Sequence, residues 1–125
     1  MNQKGPILIV DDEPFILLSL SYLLKHEGYT VETASNGQEG LARLRKTHAP
    51  LVFLDVMMPL INGYEVCARI KQDRALAGTY VIMLSARGQT ADREQGLSAG
   101  ADEYMTKPFS PREVAERVRT LLANN

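Results

Sequence analysis

Residues 51–59 read LVFLDVMMP. Four apolar residues run straight into Asp55, and Pro59 closes the stretch. A short run without polar alternation is the pattern of a strand buried on both faces. Such strands belong to parallel sheets covered by helices, so this run already argues an α/β fold. A carboxylate at its end is either a turn residue that stops the strand or a reacting group. Taken alone, Asp55 fits both readings equally.

The rest of the chain repeats the pattern. Short apolar, partly β-branched runs fall at 6–10, 30–34, 51–54, 80–84 and 103–106. Stretches with helical spacing lie between them. The first carries Phe15, Leu18, Leu20, Leu23 and Leu24 and ends at Gly28. The others cover 38–46, 63–72, 90–99 and 111–122. Ser110 is suited to cap the last of these, and Pro111 to its first turn. Five strands and five helices in strict alternation predict an α/β fold of the doubly wound, flavodoxin-like kind. It would be a five-stranded parallel sheet with helices on both faces. The runs at 30–34 and 103–106 are more polar and are expected at the sheet edges. No linker, repeat or low-complexity segment interrupts the pattern, so 1–125 is expected to be one domain with no output domain in this chain.

Composition narrows the function. The chain has 125 residues, 45% hydrophobic and 23% charged, with a formal net charge of −1. A broad nucleic-acid surface would show a strong basic excess, and none is present. The one cysteine, Cys67, cannot form an intrachain disulfide. His26 and His48 lack ligand spacing and read as surface residues. There is no signal-peptide core and no apolar run near about 18 residues. These features predict a cytoplasmic domain with no membrane contact and no direct nucleic-acid binding.

The polar residues at the strand ends carry the chemistry. Asp11 and Asp12 follow the first run, Asp55 the third, Ser85 the fourth and Lys107 the fifth. In a parallel sheet the carboxyl ends of the strands share one edge, and ligands of open α/β folds bind outside it. Three carboxylates, a hydroxyl and a lysine would then meet at one spot. Clustered carboxylates need a counter-charge, which a hard divalent cation such as Mg²⁺ supplies. Lys107 is a mobile point charge suited to a phosphate oxygen. Ser85 can donate to the same group, and an aspartate can attack phosphorus. Taken singly, Asp12 or Glu13 reads as a helix cap, Ser85 as a loop hydroxyl and Lys107 as a surface lysine. Their joint placement overrides those readings.

Larger pieces of sequence sharpen this. VDDEP at 10–14, LDVMMPLINGYE at 54–65, LSA at 84–86 and GADEYMTKPF at 100–109 resemble the receiver domain of bacterial two-component response regulators. The resemblance covers nearly the whole chain. It implies the strand order 2-1-3-4-5, which the chemotaxis receiver also has. It implies a phosphorylation-switched signalling module in which Asp55 accepts a phosphoryl group, with Mg²⁺, from a sensor histidine kinase or a phosphotransfer protein. Asp12 would be a direct Mg²⁺ ligand with Asp55 and the backbone carbonyl of Met57, while Asp11 would act mainly through water. Lys107 would pair with Asp55 at rest and with the phosphoryl group afterwards, and the Lys107–Pro108 bond would be cis.

The resemblance also implies an output. Ser85 and Tyr104 occupy the switch positions, which would bias the face made by the fourth helix, the fifth strand and the fifth helix. Met57 and Arg87 flank the path of the attacking water and would tune the lifetime of the phosphate. Met57 cannot activate water, so slow autodephosphorylation is expected. Arg93, Asp102, Glu103, Glu113 and Arg117 fall where related receivers make intersubunit ion pairs, which implies a homodimer through that face. Such a domain catalyses its own phosphorylation and dephosphorylation and is not a conventional enzyme. The alternative is a small Mg²⁺-dependent phosphatase or phosphotransferase working through an aspartyl phosphate. Dehalogenase-like phosphatases want a second acid two residues after the nucleophile, and Met57 stands there. A nucleotide-binding module would need a GxxxxGK[ST] loop, which the sequence lacks.

Overall fold

In the computed structural model, residues 5–86, 94 and 97–123 are described. The strands are β1 (Ile7–Val10), β2 (Val31–Ala34), β3 (Leu51–Asp55), β4 (Tyr80–Ser85) and β5 (Glu103–Thr106). The helices are α1 (Pro14–His26), α2 (Gly37–Thr47), α3 (Gly63–Gln72) and the C-terminal helix α4 (Pro111–Leu122). Every strand pairing is parallel, and the sheet order is β2-β1-β3-β4-β5. The two polar runs are the edge strands, as expected. Five helices were expected, and four stand as complete elements. Most of 90–99 lies outside the described residues, and within it Glu94, Leu97 and Ser98 are helical.

The pleat explains how unbroken apolar strands form two cores. Successive side chains point to opposite faces of a sheet. Leu8, Val10, Val52, Leu54, Val81 and Met83 face one side and pack with Leu41, Leu44, Val66, Cys67 and Ile70 of α2 and α3. Ile7, Ile9, Leu51, Phe53, Ile82 and Leu84 face the other and pack with Leu20, Leu24, Val114 and Val118 of α1 and α4. Each buried side chain of this size stabilises the fold by roughly 1.5–3 kcal/mol. The central strands are thereby clamped from both sides. Register aligns Val10 with Leu54, Leu54 with Met83 and Ser85 with Thr106, so the carboxyl ends of β1, β3, β4 and β5 lie along one edge.

Local signals set the element ends. Asn36 accepts from Glu39 N–H at 2.9 Å, so α2 starts at Gly37, one residue before the expected 38–46. Asn62 caps α3 and Ser110 caps α4 through the N–H groups of Glu65 and Glu113. Gly28, at φ +97, ends α1. Glu13 stands at the N-cap of α1, but its side chain makes no capping hydrogen bond. Two strands run one residue past expectation. Asp55 and Ser85 are the last residues of β3 and β4, not the first residues after them.

One close approach ties the helix layer to the site edge. Gly63 opens α3 and donates its N–H to Val56 O at 2.9 Å. A Cβ built there would lie 2.1 Å from Asp55 O and 2.9 Å from Val56 Cα, both backbone atoms. Backbone cannot step aside as a flexible side chain can. Gly63→Ala should therefore destabilise the domain by about 3 kcal/mol in urea unfolding. Gly78→Ala, where a Cβ meets nothing within 4 Å, should change stability by less than about 0.5 kcal/mol.

Candidate functional site

β1 delivers Asp11 and Asp12 to the sheet edge, and β3 delivers Asp55 beside them. Asp11 is fully buried, Asp55 is buried and Asp12 is exposed. One carboxylate oxygen from each lies within 4.8 Å of the others. Lys107 arrives from the end of β5, preceded by its own N–H donating to Ser85 O at 2.7 Å. The Lys107–Pro108 peptide bond is cis, as expected. Lys107 Nζ donates to Asp11 Oδ2 at 2.9 Å, Glu13 Oε1 at 3.0 Å and Asp55 Oδ1 at 3.2 Å. The expected pairing with Asp55 is thus present, but it is the longest of three. Asp11 also accepts the Glu13 N–H at 2.9 Å, which fixes its carboxylate.

Three carboxylates share one ammonium here, and the two buried ones, Asp11 and Asp55, titrate above their ordinary range. Burial, then the charge of Asp11, pushes the Asp55 carboxyl up to about 7 against the pull of Lys107. Burial also raises Asp11, although Lys107 hydrogen-bonds its ionised form. Burial alone would weaken the Lys107 ammonium, but its bonds to Asp11 and Glu13 and the nearby carboxylates outweigh that and raise its pKa. The donor set is all carboxylate oxygen, with no thiol or imidazole. It fits a hard divalent cation, which prefers oxygen ligands and would relieve the repulsion.

The remaining expected residues divide. Ser85 is buried at the end of β4. Tyr104 is half-buried on β5 and packs on the α2–α3 side of the sheet. It lines a cavity of about 250 Å³ with Glu103, Thr106, Pro108, Glu113 and Arg117. Met57 lies on the loop after β3 with its side chain exposed. Arg87 and Arg93 lie outside the described residues. Glu113 is exposed on α4.

The other candidates for intersubunit pairing have partners inside the chain. Arg117 donates to both carboxylate oxygens of Glu103, through Nε at 2.7 Å and through Nη2, and Tyr80 OH joins Glu103 at 2.8 Å. Those bonds, that from Arg117 first, hold the Glu103 carboxyl below its usual range. Asp102 Oδ2 accepts from Lys71 Nζ and from Val81 N–H, each at 2.8 Å. Sequence reasoning missed Glu13, Lys71 and Tyr80 as partners. The third consecutive acid in VDDEP was a signal for Glu13. No local signal marks Lys71 or Tyr80, because strand register and helix docking bring them in.

Known proteins are similar to this chain as a whole. Residues 7–119 match the response regulator receiver domain family. The chain is 48% identical over 121 residues to the probable transcriptional regulator ycf27 of Porphyra purpurea, covering 97% of this chain and 49% of that protein. It is 46% identical over 122 residues to the alkaline phosphatase synthesis transcriptional regulatory protein PhoP of Bacillus subtilis, covering 98% of this chain and 49% of that one. The chain thus spans about half the length of these relatives. A solved putative response regulator from Chloroflexus aurantiacus superimposes with a TM-score of 0.90 at 35% identity, covering 97% of this chain and 99% of that one.

The raised Asp55 pKa has a consequence for stability. Between its ordinary value near 4 and about 7, the folded protein holds a proton that the unfolded chain has released. In the absence of divalent cations, this group's contribution to stability therefore falls as pH rises through that window. Asp55→Asn removes the titration. It should flatten the pH dependence and add about 2 kcal/mol at pH 8, read by urea unfolding in EDTA. An equally steep wild-type and variant profile would contradict the assignment.

Proposed function

Because this chain belongs to the response regulator receiver family, we propose that Asp55 is the carboxylate that carries its phosphorylation-switched signal. The observation that carries this reading is the three-way contact of Lys107 Nζ with Asp11, Glu13 and Asp55 at the end of β3. An Asp55 oxygen attacks phosphorus, the O–P bond forms, and the bond to the donor's histidine nitrogen breaks. The product is an acyl phosphate. Mg²⁺, held by Asp12, Asp55 and the Met57 carbonyl with Asp11 acting mainly through water, would supply counter-charge for the carboxylates and the phosphoryl oxygens. Lys107 moves its hydrogen bonds from carboxylate to phosphoryl oxygens, and the Ser85 hydroxyl donates to the same group. The new charge-assisted bonds draw the end of β4 inward. Tyr104 on the neighbouring strand follows, which biases the face of β5 and α4. In this reading the protein catalyses its own phosphorylation at the expense of a phosphodonor, and the later hydrolysis.

Residues 1–125 act as one receiver domain in this reading, placed in the cytoplasm. Among the described residues no helix is long and apolar enough to cross a membrane. The phosphodonor is a sensor histidine kinase or a phosphotransfer protein. Phe15, Leu18 and Tyr22 form an exposed apolar stripe on α1, at helical spacing, near the site edge. Phe15 also lines an apolar groove of about 250 Å³ with Ile16, Leu23, Phe109 and Pro111. A stripe of this kind supports docking of a partner helix. Homodimerisation through β5, α4 and the segment before β5 would recruit Glu113 and Arg93. It would also require Glu103, Arg117 and Asp102 to exchange or share their present partners. The phosphatase alternative is disfavoured by Met57, which stands where a second acid would serve.

Acetyl phosphate with Mg²⁺ should add one phosphoryl group at Asp55, read by intact mass, and Asp55→Asn should abolish it. A group found elsewhere would overturn the reading. Met57→Asn should speed loss of phosphate severalfold in a chase, because an amide can hold the attacking water where a thioether cannot; an unchanged rate would contradict that role. Leu18→Lys should cut phosphotransfer from a donor protein at least tenfold while leaving the acetyl phosphate reaction within twofold of wild type. Loss of both reactions would instead indicate misfolding.

A further inference from the structure

We propose that Met58 positions the backbone carbonyl of Met57 for a divalent cation, and that its packing makes the site favour Mg²⁺ over Ca²⁺. The proposal rests on the Met57 carbonyl being a ligand beside Asp12 and Asp55. It goes beyond that reading by assigning what holds the carbonyl in place.

The stretch between β3 and α3 is anchored at both ends. Val56 is buried, and its backbone is pinned twice: its N–H donates to Leu84 O and its carbonyl accepts from Gly63 N–H, each at 2.9 Å. Pro59 and Leu60 are exposed. Ile61 turns back inward and packs against the α2–α3 core. Its Cγ2 lies 2.7 Å from where a Cβ on Gly37 would stand, so the loop is seated there against the start of α2.

Met57 and Met58 lie between these anchors, outside any strand or helix. Among the described residues, neither takes part in a backbone hydrogen bond. The Met57 side chain is 64% exposed and adds little packing. The Met58 side chain is half-buried and packs against the cluster that contains Leu54, Val66 and Cys67. A carbonyl shares its peptide plane with the next residue. The bond from Gly63 to Val56 O holds the plane that enters Met57. The plane that leaves Met57 carries its carbonyl and ends at the Cα of Met58. Only the two soft dihedrals of Met57 separate these planes, and the seating of Met58 restricts them. Met58 is thus a positioning residue that acts through the Met57 carbonyl.

The choice of cation follows from ligand rigidity. Mg²⁺ demands near-ideal octahedral geometry at about 2.0–2.1 Å, whereas Ca²⁺ takes oxygen ligands flexibly at about 2.3–2.6 Å. A carbonyl held still suits the first, and one that wanders suits the second.

Titrations with Mg²⁺ and with Ca²⁺, without a phosphodonor and followed by amide NMR shifts, test this on wild type, Met58→Ala and Met58→Leu. Met58→Ala should weaken Mg²⁺ binding about fivefold, the weight of about one backbone residue that must be ordered on binding, and Ca²⁺ binding by less than about twofold. Met58→Leu conserves volume and should keep both affinities within about twofold of wild type. With acetyl phosphate, the Mg²⁺ concentration giving half-maximal rate should rise about fivefold in Met58→Ala, while the rate at saturating Mg²⁺ stays within about twofold. If circular dichroism shows Met58→Ala unfolded, Met58→Val is measured instead, with a loss of about twofold or more expected for Mg²⁺ alone. Unchanged Mg²⁺ affinity, equal losses for both cations, or a Met58→Leu as weak as Met58→Ala would overturn the proposal. Wild type that binds neither cation would overturn the reading of the metal site itself.

Discussion

A single ammonium holds the chemical edge of this protein together. Lys107 comes from the far side of the sheet and reaches Asp11, 96 residues earlier in the chain. To do so it spans from the end of β5, past β4 and β3, to the end of β1. That reach is only open if the four strand ends are level, and the register makes them so. The contact is costly by itself, because three of the charges involved are largely out of water. The two apolar cores supply the stability that keeps these charges in place. The site is thus a demand on the fold, and the sandwiching of β1, β3 and β4 between helix layers meets it.

Most of the architecture was legible because it rests on short-range signals. Unbroken apolar runs announced the central strands, polar ones announced the edges, helical spacing announced α3, and a cap and a proline announced α4. Asp11, Asp12, Asp55, Ser85 and Lys107 were legible for a different reason. They stand at the ends of recognisable strands, so topology alone brings them together. What failed to show was any contact that depends on exact register or on how a helix docks. Tyr80 meets Glu103 across the β4–β5 pairing, and Arg117 reaches both from α4. Lys71 meets Asp102 because the end of α3 packs beside the start of β4. Glu13 was misread for the opposite reason. A strong local rule, that acids cap helices, pointed to a bond that a longer-range cation displaced.

These same contacts recast the charged face near β5. Arg117 with Glu103, and Lys71 with Asp102, are closed within one chain. A two-pronged Arg–carboxylate pair with a tyrosine hydroxyl attached is stronger than an ordinary surface pair. Any second copy that uses these charges must compete with bonds already made. The gain on association would then be the difference between two sets of ion pairs. If the proposed shift of β4 and β5 altered that balance, a modest coupling energy would suffice to change it.

The loop that follows Asp55 shows the opposite design. Gly63 packs against the Asp55 backbone and leaves no slack on the inner side. On the outer side, Leu60 takes φ +73, and the next N–H, from Ile61, donates back to Pro59 O at 2.8 Å. This tight three-residue turn is strained for a side chain of this kind. It also presents Leu60 to water at 80% exposure. Strain and an exposed leucine both oppose folding, yet they sit within a few residues of Asp55, which is buried at the end of β3. The arrangement separates two requirements. Asp55 must not move, so it belongs to a buried strand. On the proposed role of Asp55, the surface a donor reads must be reachable, and this loop pushes an apolar side chain outward within a few residues of the carboxylate.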